Sequence, residues 1–142
     1  MKPRTAITTM LATAAMGVLF LAGGSPANAA PATGPLAPAL VGNGICETGE
    51  FCLYRDFNRT GPVKDYLSGV DDNTYDNNTW PIVGGGVNDE ASSVWNRTGC
   101  KVRVFQHSDQ NGSGKTIDAG GWTNLSGTPV GNDSASSHDA CV

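Results

Sequence analysis

Apolar and polar residues alternate along this chain only in short runs, and no window keeps a helical period over ten residues or more. After residue 46 the alternation predicts strands at 51–54, 63–67, 93–96, 101–106, 115–118 and 137–141. Val102 and Val104 alternate with Arg103 and Phe105, which gives that strand two faces. Trp80-Pro81-Ile82-Val83 reads as a short edge strand, because proline cannot donate to a central ladder. Turn chemistry separates the strands: Gly61-Pro62, a polar loop at 68–79, Gly84-Gly85-Gly86, Arg97-Thr98-Gly99, Gly120-Gly121-Trp122 and Gly127-Thr128-Pro129. Many short strands punctuated this way predict an all-β sandwich. Tyr54, Trp95, Phe105 and Trp122 are expected in its core, since a sandwich of this size needs its aromatics inside.

A repeat organises these strands. Asn88-Asp89-Glu90-Ala91-Ser92-Ser93 recurs as Asn132-Asp133-Ser134-Ala135-Ser136-Ser137. Each copy is two amide or carboxylate residues, two variable positions and two hydroxyls. Upstream of each lies an aromatic followed seven positions later by glycine: Tyr54 to Gly61, and Phe105 to Gly112. Self-similarity of this length implies two tandem units, at 46–99 and 100–142. Oxygen-only donors in a fixed turn suit a hard cation such as calcium, which takes carboxylate, carbonyl and hydroxyl oxygens. The bland reading is a pair of ordinary Asx and Ser turns, with the final serine tying a hairpin.

On these residues the chain resembles the βγ-crystallin family, whose paired Greek-key motifs each carry an aromatic, a spaced glycine and a late serine. The phrase Asn88-Asp89-Glu90-Ala91-Ser92-Ser93-Val94-Trp95-Asn96 is also similar to the secreted actinobacterial peptidase inhibitors of the same fold, typified by a metalloproteinase inhibitor. The resemblance covers 46–142. It implies two tandem Greek-key motifs in one sandwich, and two calcium ions held where the hexamers meet. Ser92 and Ser136 would give hydroxyls, Glu90 and Ser134 backbone carbonyls, and Asp89 and Asp133 side-chain oxygens. Asn88 and Asn132 would shape the turns or add a ligand. It implies, further, a peptidase inhibitor directed at extracellular metalloproteases. The alternative is a calcium-binding extracellular structural or toxin-like module with no protease target. The inhibitors' reactive loop lies in a local disulfide of the second unit, which Cys100 and Cys141 are too far apart to form. That leaves 68–79 and 84–87 as candidate inhibitory loops, and no reactive bond is assigned.

The ends of the chain change the setting. Lys2 and Arg4, an apolar run over 10–22 and the small-x-small site Ala27-Asn28-Ala29 are the layout of a secretory signal peptide at 1–29. Residues 30–45, with three prolines, form a flexible leader. Losing Lys2 and Arg4 leaves seven basic against thirteen acidic residues, so the net charge moves from −4 to −6. That balance speaks against nucleic acid or an anionic membrane as partner; the resemblance implies a secreted protease as partner, met by a soluble, secreted monomer. The four cysteines, Cys46, Cys52, Cys100 and Cys141, read as two disulfides in such a chain, with three connectivities open. The Greek-key arrangement that the resemblance implies favours Cys46–Cys52 and Cys100–Cys141. Catalysis finds no constellation. His107-Ser108-Asp109 are sequential neighbours that cannot adopt triad geometry, and Glu47 and Glu50 in the short cysteine loop are expected to be solvated.

Overall fold

A computed structural model describes residues 41–142. The signal peptide and most of the leader lie outside the described residues. Seven strands form: β1 (Glu50–Asp56), β2 (Thr60–Leu67), β3 (Ser93–Asn96), β4 (Val102–His107), β5 (Asn111–Ile117), β6 (Trp122–Asn124) and β7 (Ser137–Ala140). They make two antiparallel sheets, in the orders β2-β1-β3-β6 and β5-β4-β7. The architecture is the all-β sandwich of two Greek-key units, and in each unit the first strand pairs with the last, β1 with β3 and β4 with β7.

The units exchange edges. β6 belongs to the second unit by sequence yet pairs with β3 of the first. In return, Asp72 of the first unit bridges His138 on β7, with both backbone hydrogen bonds made, at 3.0 and 2.9 Å. Each sheet is thus completed by the other half of the chain. The core between them draws on both: Phe51, Leu53 and Val94 from one sheet, Val102, Val104 and Ile117 from the other.

Both aromatic-to-glycine segments are hairpins folded over their own sheet. Gly61 and Gly112 hold φ of +75° and +76°, and a Cβ there would strike Asp56 or His107. The final serine of each hexamer ties its hairpin down. Ser93 Oγ donates to Asp56 O (2.6 Å) and Ser137 Oγ to His107 O (2.6 Å). Disulfides join Cys46 to Cys52 and Cys100 to Cys141, and no cysteine is free among the described residues.

Four expectations are corrected. Trp80-Pro81-Ile82-Val83 is no strand: positive φ at Ile82, Gly84 and Gly85 curls it into a closed turn whose Trp80 is buried. Trp122 opens β6 rather than sitting in a turn, and is 44% exposed. Trp95 pairs with it across the sheet and is only half-buried, because Arg59 stacks over both rings at 4.6 and 4.5 Å on an outer face. Tyr54 and Phe105 are buried as expected, and the other buried aromatics are Phe51, Tyr66, Tyr75 and Trp80. Glu50 is buried, not solvated. One carboxylate oxygen accepts the Glu47 N–H at 2.6 Å, while burial, aided by Asp65, raises its pKa.

Candidate functional site

The two hexamers cross in the middle of the molecule. Asp89 and Asp133, the second residue of each, take left-handed φ of 55° and 49°, which a short polar side chain tolerates. That twist turns each backbone toward the other unit. Asp89 N–H donates to Ala135 O (3.1 Å), and Asp133 N–H donates to Ala91 O (3.2 Å). The side chains repeat the exchange. Ser92 Oγ donates to Asp133 Oδ1 at 2.9 Å, and Ser136 Oγ donates to Asp89 Oδ1 at 3.0 Å. Each hydroxyl of one copy therefore meets the carboxylate of the other.

The remaining hexamer residues complete two half-sites. Asn88 Nδ2 donates to Asp89 Oδ2 (3.0 Å) and Asn132 Nδ2 to Asp133 Oδ2 (2.6 Å). Their carbonyl oxygens, Asn88 Oδ1 and Asn132 Oδ1, are buried with no hydrogen-bond partner among the described residues. Two orphaned acceptors at equivalent positions are unusual in a folded protein. Ser134 Oγ donates to Asn132 O (2.9 Å), which shapes its turn. Glu90 is engaged elsewhere: its carboxylate lies 3.5 Å from Arg55 Nε and accepts the Trp80 indole N–H at 3.4 Å. An open pocket of about 350 Å³ beside Ser92 is lined by Arg55, Asp56, Asp89, Glu90, Ser92 and Asp133.

All eight hexamer positions named from sequence thus fall in one place. The donors are carboxylate, amide carbonyl and hydroxyl oxygens, the set a hard cation takes. Among the described residues no three His, Cys, Asp or Glu side chains gather into a metal cluster, so any ion must draw on that mixed set. Arg55 and Asp56 were not foreseen as site residues; their place in the hairpin, directly after Tyr54, was the available signal. Both candidate loops are anchored locally and otherwise largely exposed. Asp72 and Tyr75 fasten 68–79, with Tyr75 N–H donating to Ser136 O at 2.8 Å, and Val87 is buried.

His138 is the buried polar group outside this site that uses both its ring nitrogens. Val70 O can only accept, so Nε2–H donates to it (3.0 Å) and Tyr75 Oη–H donates to Nδ1 (3.0 Å). Burial among Phe51, Tyr66 and Tyr75 lowers its pKa to about 4, against the opposing pull of Asp72 and Asp71.

The fold and the crossed hexamers define the class: a βγ-crystallin-type domain. A solved structure from work on the evolution of the eye lens βγ-crystallin domain fold is 24% identical, with a TM-score of 0.55 over 65% of this chain and 84% of that one. A βγ-crystallin from Ciona intestinalis is 20% identical (TM-score 0.52, 65% and 99% covered). An archaeal βγ-crystallin is 19% identical (TM-score 0.50, 66% and 99% covered). No curated protein matches the chain. Residues 41–117 match the model of peptidase inhibitor family I36, and the chain belongs to that family. It is a peptidase inhibitor by family, not an enzyme.

Proposed function

We propose that this protein is a secreted, calcium-binding inhibitor of extracellular metallopeptidases. Membership of the inhibitor family supplies the activity class. The finer reading rests on the crossed hexamers, in which each serine hydroxyl meets the opposite aspartate within 3.0 Å beside an orphaned amide oxygen. Asp133, Ser92 and Glu90 would hold one ion, with Asn132 at hand; Asp89, Ser136 and Ser134 would hold the other, with Asn88. The bound ions would neutralise two carboxylates at the junction and so pin the units together. Because the unfolded chain cannot assemble both copies, binding adds stability by mass action. Secretion fits the two disulfides, which persist in oxidising compartments.

The test is titration calorimetry with calcium on the dialysed protein, alongside inhibition of secreted metallopeptidases and serine peptidases with and without chelator. (Zinc peptidases need a separate control, since the chelator disables them.) Stoichiometric inhibition of the metallopeptidases, and heat from two calcium ions, are expected. No heat at millimolar calcium ends the calcium reading. A calcium-dependent rise in Tm without inhibition of any peptidase supports instead a calcium-binding module.

A further inference from the structure

Ile82 breaks a local rule without a packing reason. It is 90% exposed, and its φ is +72°. A β-branched residue in the left-handed region is an outlier, and such strain persists where function holds it. The second unit has no such bend. Ser136 O accepts the Tyr75 N–H (2.8 Å) and Ser92 O the Leu125 N–H (2.9 Å), so Tyr75 and Leu125 are the corresponding buried anchors. Twelve residues separate Tyr75 from Asn88 and six separate Leu125 from Asn132, and Ile82 falls in the longer stretch.

The loop that carries Ile82 is closed from within. Trp80 N–H donates to Gly85 O (3.0 Å), Gly84 N–H to Trp80 O (3.0 Å) and Val83 N–H to Pro81 O (2.8 Å), while Thr79 bridges Gly86. Gly44 lies against Pro81 and Ile82, where an added Cβ would come within 3.1 Å of Ile82 Cδ1, and its own N–H is held by Asp65 at 3.1 Å. Residues 78–87 carry no charged side chain in this acidic chain. The result is a braced, uncharged tip with two exposed branched aliphatics, Ile82 and Val83.

We infer that Ile82, with Val83 beside it, is the side chain that fills the target peptidase's specificity pocket, and that this pocket takes branched aliphatic residues. The inference rests on the inhibitor reading above. A left-handed residue followed by two engaged N–H groups, those of Val83 and Gly84, cannot join the extended strand that a cleavable segment forms. Ile82 therefore plugs the pocket with its side chain, and the loop stays uncut. Bracing lowers the ordering cost of such a contact.

The experiment compares wild type, Ile82→Gly and Ile82→Val against a thermolysin-type metallopeptidase, whose pocket takes branched aliphatics, and against trypsin, whose pocket takes Lys and Arg. Ile82→Gly restores the residue that the backbone favours, so its Tm should hold or rise while its inhibition constant rises at least about tenfold, as loss of one buried aliphatic side chain predicts. Ile82→Val should stay within about threefold of wild type. Mass spectrometry after long incubation should find 81–84 intact. Wild type and Ile82→Gly inhibiting equally would overturn the inference and leave the inhibitor reading standing, as would inhibition of trypsin alone or cleavage within the loop. A wild-type protein that inhibits neither peptidase would overturn both.

Discussion

The two units of this sandwich share a frame and differ in what they set into it. The Asp and Ser pairs of the hexamers, the tied hairpins and the exchanged edges match position for position. Three features do not. Val94 in the first closing strand corresponds to His138 in the second, both fully buried. Arg55 and Glu90 beside the first half-site become Gln106 and Ser134 beside the second. Ile82 stands in a stretch of the first unit that the second lacks. Shared positions are those whose geometry the crossing requires. The divergent ones are where a copy is free to take on a burden of its own: a buried titratable group, a charge at the proposed ion site, a strained apolar tip.

The largest effect should come from the Val94–His138 difference. Burial holds the His138 pKa near 4, below its ordinary value of 6.5. Between those values the unfolded chain binds the extra proton, so stability rises with pH there and is lost as pH falls from about 6.5 to 4. The window corresponds to roughly 3 kcal/mol. Glu50 has the opposite sign: its raised pKa favours the fold at low pH, and that contribution fades as pH rises through the raised value. Making the second unit like the first with His138→Val should cost about 2 kcal/mol at pH 7, from the orphaned Tyr75 hydroxyl and Val70 carbonyl, and should abolish the acid loss. Urea melts from pH 4 to 8 test both; an undiminished acid slope in the variant would assign it to other groups.

The clamp should behave in the contrary way, alike in both units. Ser92→Ala and Ser136→Ala each remove a hydroxyl that donates to the opposite aspartate. Each should destabilise the calcium-free protein by about 1.5 kcal/mol, the scale of a hydrogen bond to a charged group. Because the crossing is reciprocal, the two losses should agree closely. Unequal losses in chemical denaturation would show that one half of the clamp carries more of the fold.

What could be read beforehand follows the same division. The hexamers, the hairpin glycines and most strands announce themselves, because each is a local pattern and the repeat writes it twice. Of the core aromatics, Tyr54 and Phe105 were legible and two others were not. Tyr75 and Trp80 sit in polar or glycine-rich stretches with no periodicity, and only the folded chain buries them. Trp95 and Trp122 look like core by residue type, yet the sheet turns them outward under Arg59. β6 has three residues, too few to show alternation, and its pairing with β3 of the other unit leaves no local trace. Proline and three glycines around Ile82 suggested an edge strand and a turn, where the chain makes a closed bend.

Ile82 and Gly127, one left-handed position in each unit, offer a smaller test. Gly127→Ile places a β-branched residue in the left-handed region with no neighbour to meet. The cost should be about 1 kcal/mol, with Ile82→Gly gaining a similar amount. Thermal melts of the two variants and their combination should give additive shifts, because no hydrogen bond among the described residues joins the two loops. Coupling between the two changes would mean that one bend sets the other.

The smallest effect concerns Arg55. Its guanidinium lies 3.5 Å from Glu90, both side chains are about half exposed, and the pocket beside Ser92 includes them. The second half-site has the neutral pair Gln106 and Ser134. A cation entering the first half-site therefore meets a positive charge that the second lacks, partly offset by Glu90. Arg55→Gln copies the second unit and removes that repulsion while freeing Glu90. At such exposure the exchange is worth under about 1 kcal/mol, so calcium affinity should tighten roughly fivefold, at one site only. The gain should shrink as salt rises, since screening acts on exposed charges. Calorimetric titration resolves the two steps. Equal tightening at both would mean the half-sites are coupled through the crossed aspartates, with Asp89 and Asp133 passing the charge change from one unit to the other. No change at either would mean that Glu90 already neutralises Arg55, leaving the first half-site as little repelled as the second.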